Sequence, residues 1–130
     1  MIERIIVEGA PKAIAPYVHA VRAGSFVFMT GQMPIDPATG EYVRGDIKSQ
    51  TLRVLENLRI VLGSCGLDYG SVVQARAYLT DMRDYEGFNE AYGDFLGKTL
   101  PARTCVAVTG LAGGADVEID LVAFDGNGGK

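Results

Sequence analysis

Apolar and polar positions alternate with a period of two near both ends of the chain and with a period of three to four in two middle segments. Residues 2–7 read as a first short strand, and residues 10–16 hold two prolines and must be irregular. Residues 17–22 and 25–30 read as strands separated by Ala23-Gly24, a hairpin signal. The turn-rich run 34–40 follows, and Asp46 then stands as an N-cap. Behind it Ile47, Thr51, Leu55, Leu58 and Leu62 recur at helical spacing, with Val54 and Val61 widening the stripe, until Gly63 or Gly66 stops the helix. Residues 72–80 alternate as a strand. A second helix is capped at Asp81 or Asp84 and has Phe88, Ala91, Tyr92, Phe95 and Leu96 on one face. Strands at 103–109 and 116–124 complete a βββαβαββ order, an α+β pattern of one sheet with two helices. With no internal repeat or linker, residues 1–125 are expected to form one domain, followed by a frayed low-complexity tail at 126–130.

Period two assigns faces to the strands. Val117, Ile119, Leu121 and Ala123 share a face suited to packing under the helices, as do Val73, Ala75, Ala77 and Leu79, and Thr104, Val106 and Val108. The opposite face would carry Arg103, Cys105, Ala107, Glu118, Asp120, Val122, Phe124, Gln74, Arg76 and Tyr78. Two helices cover only one face of such a sheet. The second is too apolar to leave wholly in water, so a partner chain is expected on part of it.

Charge and cysteine content narrow the chemistry. The 130 residues are 48% apolar, enough for a packed core, and carry a formal net charge of −4 with a pI of about 4.9. That balance argues against a nucleic-acid backbone as ligand. No apolar run reaches the ~18 residues of a membrane span. The N-terminus lacks the apolar region of a signal peptide, so a cytoplasmic protein is expected. Cys65 and Cys105 make no C-x-x-C and have no nearby histidine, so both read as reduced thiols and no metal is expected. His19 is the sole histidine, a type more often structural than catalytic when alone.

The sharpest local string is Leu100-Pro101-Ala102-Arg103-Thr104-Cys105-Val106, in which Pro101 marks strand entry and Arg103 is the first long polar side chain. Arg103, Cys105 and Glu118 are expected on one sheet face, where an Arg and a Glu ordinarily make a simple ion pair. Five pieces extend this: Ala10-Pro11-Lys12-Ala13-Ile14-Ala15-Pro16-Tyr17, Thr30-Gly31-Gln32, Asn89-Glu90-Ala91-Tyr92, Pro101 to Val106, and Val117-Glu118-Ile119. In this order and spacing they make nearly the whole chain resemble the RidA (YjgF) family.

The resemblance implies a chorismate-mutase-like fold, a mixed sheet backed by two helices, assembled as a homotrimer with active sites between subunits. It also implies hydrolysis of 2-imino acids and their enamine tautomers (2-aminoacrylate, 2-iminobutanoate, 2-iminopropanoate) to 2-keto acids and ammonia. An iminium carbon is already electrophilic, so no cofactor is implied; the site must hold a carboxylate, position a water and move protons. Arg103 suits the carboxylate clamp, because a guanidinium pairs with it bidentately. Glu118 suits the group that activates water. Cys105 suits a site wall rather than a nucleophile, with no base beside it in sequence. Tyr17, Thr30, Gly31 and Asn89 correspond to positions lining the family cleft. Ala15, Thr30 and Leu100 depart from the commoner Gly, Ser and Phe and bear on substrate range. Alternatives are a non-catalytic trimeric binder or sensor of small carboxylates and a 2-aminomuconate-type deaminase. An endoribonuclease is disfavoured by the acidic charge, and a chorismate mutase would rest on fold alone.

Overall fold

The computed structural model describes residues 1–127, and its elements follow the expected order. They are β1 (Ile2–Ile5), β2 (Ala20–Ala23), β3 (Phe26–Gln32), α1 (Ile47–Ser64), β4 (Val72–Leu79), α2 (Tyr85–Leu96), β5 (Ala102–Ala107) and β6 (Val117–Phe124). Positions 128–130 of the expected tail lie outside the described residues; of the rest, the Asn127 N–H donates to Asp125 Oδ1. The six strands run in the order β1-β2-β3-β6-β4-β5, antiparallel except for the β4–β5 pair, and this mixed sheet carries both helices on one face.

Local chemistry sets the ends of these elements. Asp46 caps α1, its carboxylate accepting from the Ser49 backbone N–H at 2.9 Å. Asp81 caps the short 3-10 turn Met82–Asp84 that leads into α2, whereas Asp84 occupies the N-cap position of α2 without a side-chain hydrogen bond. The first two strands are shorter than their patterns suggest, and His19 is the reason. Its backbone N–H takes the Ile5 carbonyl, its Nδ1 accepts from the Val7 N–H at 2.8 Å, and its Nε2 donates to the Pro11 carbonyl at 2.8 Å. The histidine thus ties the irregular segment to the sheet, which fixes its neutral tautomer and gives it the structural role expected of it.

The core lies between sheet and helices: Leu55, Leu58, Leu62, Val54 and Val61 of α1 and Phe88 of α2 meet Val27, Leu79, Val117, Ile119 and Leu121. Buried Asn57 donates to the carbonyls of Met33 and Ile35 and so anchors the loop after β3. Among the described residues no layer covers the opposite sheet face. There Phe26, Phe28, Phe124 and Val106 remain 42–47% exposed, beside the Arg76–Asp120 ion pair.

Two face assignments need correction. Val73 is exposed, because the β4–β6 register shifts between Val72 and Gln74 and breaks the alternation. In β5 the phase is inverted. The parallel register sets Arg103 against Ala75 and Cys105 against Ala77, both buried under the helices, while Thr104 and Val106 fall on the open face. Glu118 pairs with Tyr78 on that open face. Arg103 and Glu118 of one chain therefore lie on opposite sides of the sheet, not on one face as the pattern of β5 suggests.

Candidate functional site

The expected site residues form two groups. The first is built where β3 leaves its ladder: its pairing with β6 shifts between Met29 and Gln32, so Thr30 and Gly31 are released from regular register. The Thr30 N–H donates to the His19 carbonyl at 3.0 Å and its hydroxyl to the Val18 carbonyl at 2.6 Å, which pins the bulge to the irregular segment. Tyr17 sits on the same segment, its hydroxyl accepting from the Ile14 N–H at 3.4 Å. The Glu118 carboxylate reaches across Gly31. A Cβ at position 31 would stand 2.0 Å from Glu118 Oε2 and 2.9 Å from its Cδ, so only glycine admits this approach. Ile14, Ala15, Tyr17, Thr30, Gly31, Met33, Ala112 and Glu118 line an open cavity of about 270 Å³. Burial raises the proton affinity of Glu118 above the ordinary glutamate value, and the Asp120 charge two residues along adds to the effect.

The second group lies at the sheet edge. Tyr85, Phe88, Asn89 and Tyr92 fall at i, i+3, i+4 and i+7, so α2 presents them on one stripe, and Arg103 from β5 lies against it. Arg103 Nη1 donates to Asn89 Oδ1 at 2.8 Å and Nη2 to Tyr85 Oη at 3.2 Å. Its Cζ stands 5.7, 5.4 and 5.0 Å from the ring centroids of Tyr85, Phe88 and Tyr92. Such contacts hold a cation in place while its remaining N–H groups stay available. Cys105, on the same strand face, packs against the core, and burial raises its thiol pKa, with Arg103 acting the other way. This favours a thiol that forms a wall over a thiolate that attacks.

Of the seven residues singled out in the sequence, Tyr17, Thr30, Gly31 and Glu118 are thus brought together, and Arg103, Asn89 and Cys105 form a separate cluster. The cavity of the first group includes none of the second. The sequence reading missed Tyr85, Phe88 and Tyr92 as partners of Arg103. Phe88 and Tyr92 stand in the apolar stripe that the sequence assigns to the core, and the signal for Tyr85 is its position four residues before Asn89 on the same helix face. A larger cavity of about 480 Å³ beside His19, Glu8 and Lys12 contains none of the seven, and both ring nitrogens of His19 are already engaged. Among the described residues no group of three or more His, Cys, Asp or Glu is placed to hold a metal ion, and no helix is long and apolar enough to cross a membrane.

Comparison with known proteins finds likenesses that span nearly the whole chain. The sequence pattern of the family described as Endoribonuclease L-PSP matches residues 7–125. A RutC family protein of Pyrococcus horikoshii is 45% identical over 124 residues, spanning 95% of this chain and 98% of its own. The 2-iminobutanoate/2-iminopropanoate deaminase of Salmonella typhimurium is 37% identical over 126 residues, spanning 95% and 98%. The crystal structure of Escherichia coli TdcF with bound serine superposes with a TM-score of 0.89 at 35% identity, covering 94% of this chain and 98% of that one.

Proposed function

The chain belongs to the endoribonuclease L-PSP (RidA) family, and we propose that it is a cytoplasmic deaminase hydrolysing 2-imino acids and their enamine tautomers at sites shared between subunits of a homotrimer. The observation that carries the reading is the division of labour between the two clusters. A caged guanidinium fit for a carboxylate lies on one side of the sheet, and a half-buried carboxyl fit for proton transfer lies on the other. Neither suffices alone. A neighbouring chain seated on the open apolar face brings one chain's Arg103 cluster to the next chain's Glu118 cluster.

In such a site Arg103 holds the substrate carboxylate and Glu118 takes a proton from a water that adds to the imine carbon. Glu118 passes that proton to the nitrogen, giving a carbinolamine; it then relays the hydroxyl proton to the same nitrogen, so the C–N bond breaks, ammonia leaves and the carbonyl forms. Water is the only co-reactant, and atoms balance: imino acid plus water gives keto acid plus ammonia. The bound serine of the TdcF structure supports a small amino- or carboxylate-bearing ligand. The net charge of −4 speaks against a nucleic-acid substrate.

The test couples a serine or threonine dehydratase to this protein and follows keto-acid and ammonia release with and without it. Faster release that is lost in Arg103→Ala supports the reading. No acceleration with any small 2-imino acid, alongside retained binding of 2-oxobutanoate, favours the non-catalytic binder instead.

A further inference from the structure

The hydrogen bonds around Arg103 have a direction that bears on what the cluster binds. A guanidinium has only donors, so Tyr85 Oη and Asn89 Oδ1 must both act as acceptors toward it. Each neighbour thereby spends an oxygen lone pair on Arg103 and is left offering donors: the phenol its O–H, the amide its NH2 group. Neither donor has an acceptor among the described residues. Tyr85 is 39% exposed, so its hydroxyl stands at the accessible end of the stripe. The rim of the cluster therefore offers unspent donors beside a positive charge, a composition complementary to an anion with several lone pairs.

We propose that Tyr85 is a ligand-binding residue whose O–H donates to the carboxylate held by Arg103, which makes it a determinant of the site's demand for a carboxylate. The proposal rests on the Arg103 clamp of the preceding reading and adds to it a contact that a phenylalanine ring at this place would lack. A hydrogen bond to a charged acceptor accounts for roughly a tenfold change in affinity or more.

The experiment compares the full-length wild type with Tyr85→Phe, which keeps the ring and its place against Arg103 and removes only the hydroxyl. Calorimetric titration with 2-oxobutanoate is expected to give a Kd about tenfold higher for the variant. Imine hydrolysis should show a matching rise in KM with kcat within about twofold, the signature of lost binding rather than lost chemistry. A crystal structure of the 2-oxobutanoate complex should place Tyr85 Oη within hydrogen-bond distance of the carboxylate. Wild-type Kd in Tyr85→Phe overturns the proposal, and so does a complex in which Oη touches Arg103 alone, since the tyrosine would then only position the guanidinium. Keto-acid binding through Tyr85 without imine hydrolysis overturns the deaminase reading and leaves this contact standing. A wild type that binds no carboxylate at millimolar concentration overturns both.

Discussion

The close approach of Glu118 to Gly31 ties the placement of that carboxyl to the absence of one carbon. The φ angle of Gly31 is ordinary, since it is not among the positive-φ glycines, so alanine is compatible with the backbone there and the conflict is with the carboxylate alone. Gly31→Ala is therefore expected to leave the fold intact and displace Glu118. Turnover in the coupled assay should fall by roughly 10²-fold or more, the scale of lost acid–base catalysis, with a far smaller change in 2-oxobutanoate affinity. Retention of full activity would separate Glu118 from the chemistry. The protonation of the same carboxyl gives a second outcome. A base must be ionised to act, and burial followed by the Asp120 charge makes ionisation of Glu118 harder. The acid limb of kcat/KM is thus expected at a pH above the ordinary glutamate value of 4.5. Asp120→Asn removes one of the two causes and should move that limb toward lower pH; a limb unmoved by the substitution would show that another group controls it. These residues were legible in the sequence because ordered motifs carry them. The side of the sheet on which Arg103 stands was not legible. Val106 and Val108 imitate a buried face, and the parallel register that sets the phase of β5 comes from a strand far away in sequence.

The two helices and the Asp46 cap of α1 were visible at the scale of elements because a long apolar stripe and an Asp at its start are local properties, whereas the start of α2 is set by a 3-10 turn that its two Asp candidates did not resolve. Strand limits were less visible, because His19 imposes them through hydrogen bonds to Val7 and Pro11 that no local pattern announces. The contact between α1 and α2 supplies a test of packing. Gly87 lies inside α2, where glycine costs about 1 kcal/mol of helix propensity relative to alanine. A Cβ there would stand 2.8 Å from Ile47 Cγ2, at the first residue of α1. Gly87→Ala is accordingly expected to destabilise the fold through overpacking by about 1–3 kcal/mol, despite the better propensity. In an Ile47→Ala background the obstructing methyl is gone, and the same substitution should raise stability instead. Thermal melts of the four proteins of this cycle check the reversal of sign. Additive effects would mean that the helices separate freely at this point.

At the scale of the whole molecule, the sheet separates Arg103 from Glu118 and leaves an aromatic surface, Phe26, Phe28 and Phe124, on the side where Glu118 lies. Both features find one explanation in the proposed assembly, in which a neighbouring chain covers the apolar face and the two clusters meet across that contact. This explanation makes a prediction that no single-chain site shares. Arg103→Ala destroys the first cluster and keeps the second; Glu118→Gln does the reverse. Each variant alone should form inactive trimers. When the two are denatured, mixed in equal amounts and refolded together, about three quarters of the trimers contain both chains if assembly is random. Going round any such mixed ring, the intact Arg103 of one chain faces the intact Glu118 of the next at one contact of the three. The mixture should therefore recover about one quarter of wild-type activity per chain, from two preparations that have almost none. Sedimentation of the same samples should give one species near three chains in mass. A mixture as inactive as its components, in trimers verified to be mixed, would place Arg103 and Glu118 in the same chain's site or remove one of them from it. A species at one chain in mass would leave the aromatic face without the partner that its exposure calls for.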